Sequence, residues 1–213
     1  RSRSPEFLTT SQLTVFAGTW IVIQMDLGGI RSALPRWVEA GAKAADIAIL
    51  GLQEVAMGAR TVAESIVKET FAKGMQEKGN LAAQTWFQEI LGALCKATGH
   101  QWIRAGTRQL SGILLGVYVR DHLGKSVGEV ETCSVARGVM GGGGNKGTVG
   151  VSLTIHRRRL LFLCSHFAAH QNAVEKRNED YSAAARELRL QGSDQAGVGP
   201  CLLYTSPSPR DLS

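Results

Sequence analysis

Paired cysteines are missing from this sequence. Its four cysteines, Cys95, Cys133, Cys164 and Cys201, lie far apart, and none belongs to a Cys-x-x-Cys pair. Neither a zinc knuckle nor a dithiol redox centre is therefore written into the chain. Long apolar runs are missing too: none approaches the roughly 20 residues a helix needs to cross a bilayer. The opening Arg1-Ser2-Arg3-Ser4-Pro5-Glu6-Phe7 has no apolar stretch of the secretory kind. These absences point to a reduced, intracellular protein. Internal repeats are absent. Acid is in short supply, with 18 Asp and Glu against 24 Lys and Arg, a net charge of +6. That surplus favours anionic partners such as phosphoinositide head groups, anionic membrane surfaces or nucleic acid, and does not choose among them.

What is present suffices for one ordinary domain: 213 residues, 44% of them hydrophobic. Residues 13–23 read as a first strand, followed by a loop at Leu27-Gly28-Gly29. Residues 46–52 form a short, nearly continuous apolar run, the pattern of a strand buried on both faces. Two helices are predicted next. In the second, Trp86, Ile90, Leu94 and Ala97 recur at helical spacing, and Gly99 stands where helices commonly end. Strands are then predicted over 113–119, 127–135, 148–155 and 160–167. Between the last two, His156-Arg157-Arg158-Arg159 reads as an exposed hairpin tip, with attraction to an anionic membrane surface as the alternative. Residues 173–190, rich in Ala, Glu, Arg and Leu, read as a helix. Residues 1–11 read as an extension, 12–190 as the domain, and 191–213, which lose all periodicity, as a non-native or disordered tail. Strands that alternate with helices and then run in hairpins predict a layered α/β architecture.

The chemistry gathers between residues 138 and 181. The run Gly141-Gly142-Gly143-Gly144-Asn145-Lys146-Gly147-Thr148 has the glycines and lysine of a P-loop. A P-loop, however, needs Gly-Lys-Ser/Thr leading into a helix. Here Asn145 precedes the lysine, Gly147 follows it, and Val149, Val151, Leu153 and Ile155 alternate as in a strand. The helix N-terminus that would hold phosphates is missing. So many backbone N–H groups beside one ammonium still suit an anion; a flexible turn is the plain alternative. Glu54 stands just past the C-terminal end of the 46–52 run, where α/β proteins place ligand and metal groups. A solvated strand-end carboxylate is the bland reading of it. His166 and His170 are four apart, but they follow a strand pattern and no His-Glu-x-x-His is present, which argues against zinc. Arg177 and Tyr181 share a helix face at i, i+4, and a guanidinium is shaped for bidentate phosphate contact. A surface ion pair between Arg177 and Asp180 would explain the same spacing.

In order along the chain, Phe16-Ala17-Gly18-Thr19-Trp20, residues 46–55, Gly138-Val139-Met140-Gly141 through Asn145-Lys146-Gly147, Ser165-His166-Phe167-Ala168-Ala169-His170 and Arg177-Asn178-Glu179-Asp180-Tyr181 resemble the signatures of the inositol polyphosphate 5-phosphatase family. The likeness runs from about 13 to 190. It implies a deoxyribonuclease-I-like α/β fold, a layered β-sandwich flanked by helices, of which this chain supplies the N-terminal portion. It also implies Mg²⁺-dependent hydrolysis of the 5-phosphate of inositol polyphosphates or phosphoinositides. By the same resemblance Glu54 is the metal ligand and a catalytic residue, and His166 is a catalytic hydrogen-bond donor to the scissile phosphate. Asn145, Lys146, Arg177, Asn178 and Tyr181 are substrate-binding residues. The implied partners are inositol phosphates or phosphoinositide head groups, at a cytoplasmic location that includes peripheral contact with anionic membranes, with no nucleic acid and no transmembrane segment expected.

Two departures stand out. The family places an asparagine directly after the tryptophan, where this chain has Ile21, and often a second where it has Ile23. The family's later Gly-Asp-x-Asn motif and Asp-His pair, which position and deprotonate the attacking water, do not occur. These departures keep a non-catalytic phosphoinositide-binding fragment as an alternative, and a metal-dependent phosphodiesterase nuclease, which shares the fold and the strand-end glutamate, is another. The Asn145-Lys146 loop and the Ser165-to-His170 run argue against the nuclease.

Overall fold

The computed structural model of the chain describes residues 11–23, 27–56, 81–137 and 146–190. The first of the two helices predicted after residue 52, the extension up to residue 10 and the tail from residue 191 lie outside the described residues. So do Asn145 and the glycines before it.

Strand β1 (Val15–Ile21) and strand β2 (Ile47–Gln53) run parallel, Val15 beside Ile47 through Ile21 beside Gln53. Parallel neighbours need a crossover, which helices α1 (Leu27–Ile30) and α2 (Leu34–Ala42) supply. Pro35 falls in the first turn of α2, where its missing N–H costs nothing. Helix α3 (Leu81–Thr98) leads into the antiparallel pair β3 (Trp102–Leu110) and β4 (Ile113–Arg120). A 3-10 turn at Asp121–Ser126 then opens a meander of β5 (Val127–Arg137), β6 (Lys146–Ile155) and β7 (Arg158–His166), and helix α4 (Val174–Glu187) follows. The strand orders are β1-β2-β4-β3 in one sheet and β5-β6-β7 in the other.

Side-chain alternation on the central strands builds the layers. Ala48, Leu50 and Leu52 of β2, with Leu114 and Tyr118 of β4, meet Val38 of α2 and Trp86, Phe87, Ile90 and Leu94 of α3. On the other face Ile47, Ile49, Ile113, Leu115 and Val117 meet Val149, Val151 and Leu153 of β6. Helices, first sheet and second sheet thus stack as three layers. All positions of β2 are buried, because both of its faces are covered. Tyr118 sits fully buried with its hydroxyl donating to the Phe87 carbonyl at 3.1 Å, which satisfies the polar end of an otherwise apolar anchor. Helix α3 ends where the sequence predicts: Gly99 adopts φ +70°, and its N–H bonds to the Cys95 carbonyl.

The sheets approach closely at Gly51. A β-carbon there would lie 2.7 Å from Cys164 Sγ on β7. Gly51→Ala is expected to destabilise the fold by about 1–3 kcal/mol through overpacking. Adding Cys164→Ala should recover part of that loss in urea melts; no recovery would locate the strain elsewhere.

Several elements differ from the sequence reading. The segment Leu27-Gly28-Gly29 is the start of a short helix rather than a loop, held because Ile30 is 2% exposed in the helix-side core. Strand β3 escaped the pattern because Arg104, Thr107, Arg108 and Gln109 break its apolar alternation. Arg108 is nevertheless buried and donates to Ser134 Oγ at 2.6 Å. Strand β7 begins at Arg158, paired with Ile155, so only His156 and Arg157 form the hairpin tip. Arg159 lies within the ladder, donates to Ser152 Oγ and pairs with the buried Glu131. No helix among the described residues is long and apolar enough to cross a membrane.

Candidate functional site

The C-terminal ends of β1, β2 and β7 and the start of β6 meet at one rim of the sandwich. Three residues singled out in the sequence converge there. Lys146 Nζ lies 2.7 Å from His166 Nε2, and Glu54 Oε1 lies 3.4 Å from the same nitrogen. The His166 side chain is 10% exposed and that of Glu54 28%, so the cluster is shielded from below and open above. An imidazole with its proton on Nδ1 accepts from Lys146 at Nε2, and one protonated at Nε2 donates toward Glu54. An ammonium, an imidazole and a carboxylate within hydrogen-bonding reach of one another can together take an oxyanion and a hard cation.

Local backbone explains how each arrives. Glu54 leaves β2 at φ +58°, a left-handed conformation that turns its side chain out of the strand's alternation. Gly147, after Lys146, adopts φ +149°, and a β-carbon there would run into the Val135 carbonyl. Glycine at 147 therefore lets β6 begin close against β5, with Lys146 beside Arg137 and Gly147 beside His166.

Beneath the rim, Gln53 ties the layers together. Its Nε2 donates to Thr19 Oγ1 at 2.9 Å on β1 and to Cys164 Sγ at 3.0 Å on β7. Burial pushes the Cys164 thiol from 9.0 up to about 12, with the Gln53 hydrogen bond opposing the shift. Burial likewise raises Cys133 to about 11, opposed by the charge of Arg108. Thiols of the unfolded chain ionise near 9.0, and the folded ones hold their protons to about 11 and about 12. Stability is thus unaffected below the unfolded value and falls as pH rises from there toward the folded values. Urea melts at about pH 8 and about pH 10.5 should show the loss, and Cys164→Ala should shrink it. An undiminished loss in that variant would assign the titration to other groups.

The remaining residues from the sequence reading are spread along α4 and its approach. The Arg177 guanidinium is engaged with the chain itself, donating to the carbonyls of His170 at 2.5 Å and Gln171 at 3.2 Å. Asn178 lines an open cleft with Arg137, Glu179, Ser182 and Arg186, and Tyr181 is 46% exposed. Asp180, which carried no role in the sequence reading beyond a surface pair with Arg177, is 7% exposed and lies 3.4 Å from Arg137 instead. The available signal was its position three and four residues before Ala183 and Ala184, the apolar stripe of α4.

At the end of β1, Ile21 lies beside Gln53 in the ladder, 36% exposed, and offers no donor or acceptor from its side chain. Ile23 adopts φ +49° at 69% exposure. A β-branched residue is strained there, whereas asparagine enters the left-handed region readily. Ile23→Asn should stabilise the chain by about 1 kcal/mol; an unchanged urea midpoint would mean that the strain is relaxed elsewhere.

This architecture is the deoxyribonuclease-I-like fold of two packed sheets with helices outside. A solved structure with that fold is the inositol polyphosphate 5-phosphatase domain of SpSynaptojanin in complex with inositol (1,4)-bisphosphate and calcium ion. It matches with a TM-score of 0.62 at 21% identity, over 84% of this chain and 47% of that one. Residues 24–205 match Endonuclease/Exonuclease/phosphatase family 2, and the chain belongs to that family. Among its relatives, type II inositol polyphosphate 5-phosphatase 15 of Arabidopsis thaliana is 38% identical over 198 residues, 91% of this chain. Synaptojanin of Caenorhabditis elegans is 27% identical over 203 residues, 88% of this chain. The chain spans 17% of the length of each of these two relatives. The family resemblance and fold expected from the motifs are both borne out.

Proposed function

We propose that the protein is a phosphoric monoester hydrolase acting on the 5-phosphate of inositol polyphosphates or phosphoinositide head groups, with residues 12–190 forming part of its catalytic domain. The observation that supports this reading most is the convergence of Glu54, Lys146 and His166 at one rim, each within a motif of the 5-phosphatase pattern. Lys146 takes one phosphate oxygen as a charge-assisted donor. His166, released from Lys146 by that contact and protonated on Nε2, donates to a second oxygen of the scissile group. Asn145, Asn178 and Tyr181 contact the rest of the head group, and Arg177 serves it by holding the loop after His166.

A divalent cation fits this donor set. Mg²⁺ binds through one or two carboxylates and completes its shell with water and substrate oxygens. Glu54 supplies one such carboxylate at the rim, and no cluster of three or more His, Cys, Asp or Glu suited to a metal occurs among the described residues. When bound, Mg²⁺ would neutralise charge on the transferring phosphoryl group. The basic balance of the chain suits a cytoplasmic enzyme working peripherally at anionic membranes.

The direct test is phosphate release from inositol 1,4,5-trisphosphate by the native protein that carries this chain, with and without Mg²⁺. Cleavage of plasmid DNA with no release from the trisphosphate would replace this reading by the nuclease. A non-catalytic head-group binder is the second reading, favoured by Ile21 at the end of β1. Binding to phosphoinositide vesicles without turnover, unimproved by Ile21→Asn, would establish it.

A further inference from the structure

We infer that Asp180 is a positioning residue for the Lys146–His166 pair, acting through the two stretches of backbone that carry it. This rests on the phosphatase reading above. Asp180 Oδ2 accepts the N–H of Ala168 at 3.0 Å, two residues beyond His166. Its Oδ1 faces Arg137 Nε at 3.4 Å, and Arg137 is the cross-strand partner of Lys146 at the end of the β5–β6 ladder. One buried carboxylate therefore ties the chain after His166 to the strand end beside Lys146. From one turn earlier on α4, Arg177 holds the opposite polarity of the same loop, through the carbonyls of Ala168 at 3.5 Å, His170 and Gln171. Ala168 is thus held at both its N–H and its C=O by a single helix.

The loop needs that hold. His170 sits at φ +77°, a conformation that a non-glycine residue keeps only when its surroundings impose it. A buried carboxylate is costly unless paired and hydrogen-bonded, and Asp180 meets both demands with groups that flank the site. The 2.7 Å contact between Lys146 and His166 leaves little slack. A misplacement of about 1 Å at a reacting centre can cost about a hundredfold in rate.

The experiment uses the native protein that carries this chain. Asp180→Ala should lower kcat for release of phosphate from inositol 1,4,5-trisphosphate about 10–100-fold, with KM within about twofold. Asp180→Asn keeps an acceptor for Ala168 and should retain most of the rate. In a His166→Ala background, Asp180→Ala should cost several-fold less than in the wild type, because one of the two groups it positions is gone. If Asp180→Ala does not fold, Asp180→Asn carries the same cycle, and its smaller loss must likewise shrink. Backbone hydrogen exchange over residues 167–171, read by mass spectrometry, should quicken in Asp180→Ala while β2 is unchanged. That measurement needs no turnover, so it decides the positioning role even if the protein releases no phosphate. Additive losses in the double variant, a rise in KM matching the fall in kcat, or undisturbed exchange over 167–171 would each overturn the inference.

Discussion

Replacing Glu54 by glutamine is expected to lower Mg²⁺-dependent phosphate release by at least about a hundredfold. Removing an outer partner of a metal ligand already costs about 10–100-fold, and loss of the ligand's own anionic oxygen should cost more, because a hard cation prefers it to an amide. The backbone adds a second, independent expectation. Glu54 holds φ +58°, a conformation that costs an L-residue about 1–2 kcal/mol. Glu54→Gly should therefore be as inactive as Glu54→Gln yet more stable by about 0.5–1 kcal/mol, after the extra freedom glycine gains when unfolded. Activity assays and urea melts on the pair separate the two effects. Unchanged Mg²⁺ dependence in Glu54→Gln would remove Glu54 from the metal site, and a less stable Glu54→Gly would show that the turn holds no strain.

The second large effect is expected at His166. His166→Ala should reduce kcat about 10²–10³-fold, the usual loss when one preorganised donor to a developing oxyanion is removed. Lys146, left without its 2.7 Å neighbour, still binds phosphate, so KM should change far less than kcat. His166→Gln, which restores an N–H in roughly the same place, should recover part of the rate. A loss confined to KM would make His166 a ground-state contact. A loss below about tenfold would take it out of the chemistry.

Much of this was legible along the chain because it depends on local pattern. The apolar run of β2 announced burial on both faces, the spacing of Trp86, Ile90 and Leu94 announced α3, and Gly99 marked its end. Glu54, Lys146 and His166 could be named because each follows or opens a recognisable strand within a specific motif. Strand β3 could not be read, since its polar residues are satisfied by partners remote in sequence, as Arg108 is by Ser134. The hairpin tip is shorter than the basic run suggests for the same reason: Arg159 lies inside the ladder because Ser152 and Glu131 receive it.

Motif order and periodicity are properties of a line, so the order of the residues was enough to mark the core strands, the candidate site residues and the family the chain joins. Only the tertiary structure decided which of those residues meet. It brought Glu54, Lys146 and His166 to one nitrogen across 112 residues of chain separation, turned the Arg177 guanidinium onto loop carbonyls, and buried Asp180. The physical reason is that hydrogen-bond partners are assigned by strand register and layer packing, through contacts between segments whose separation no local pattern encodes.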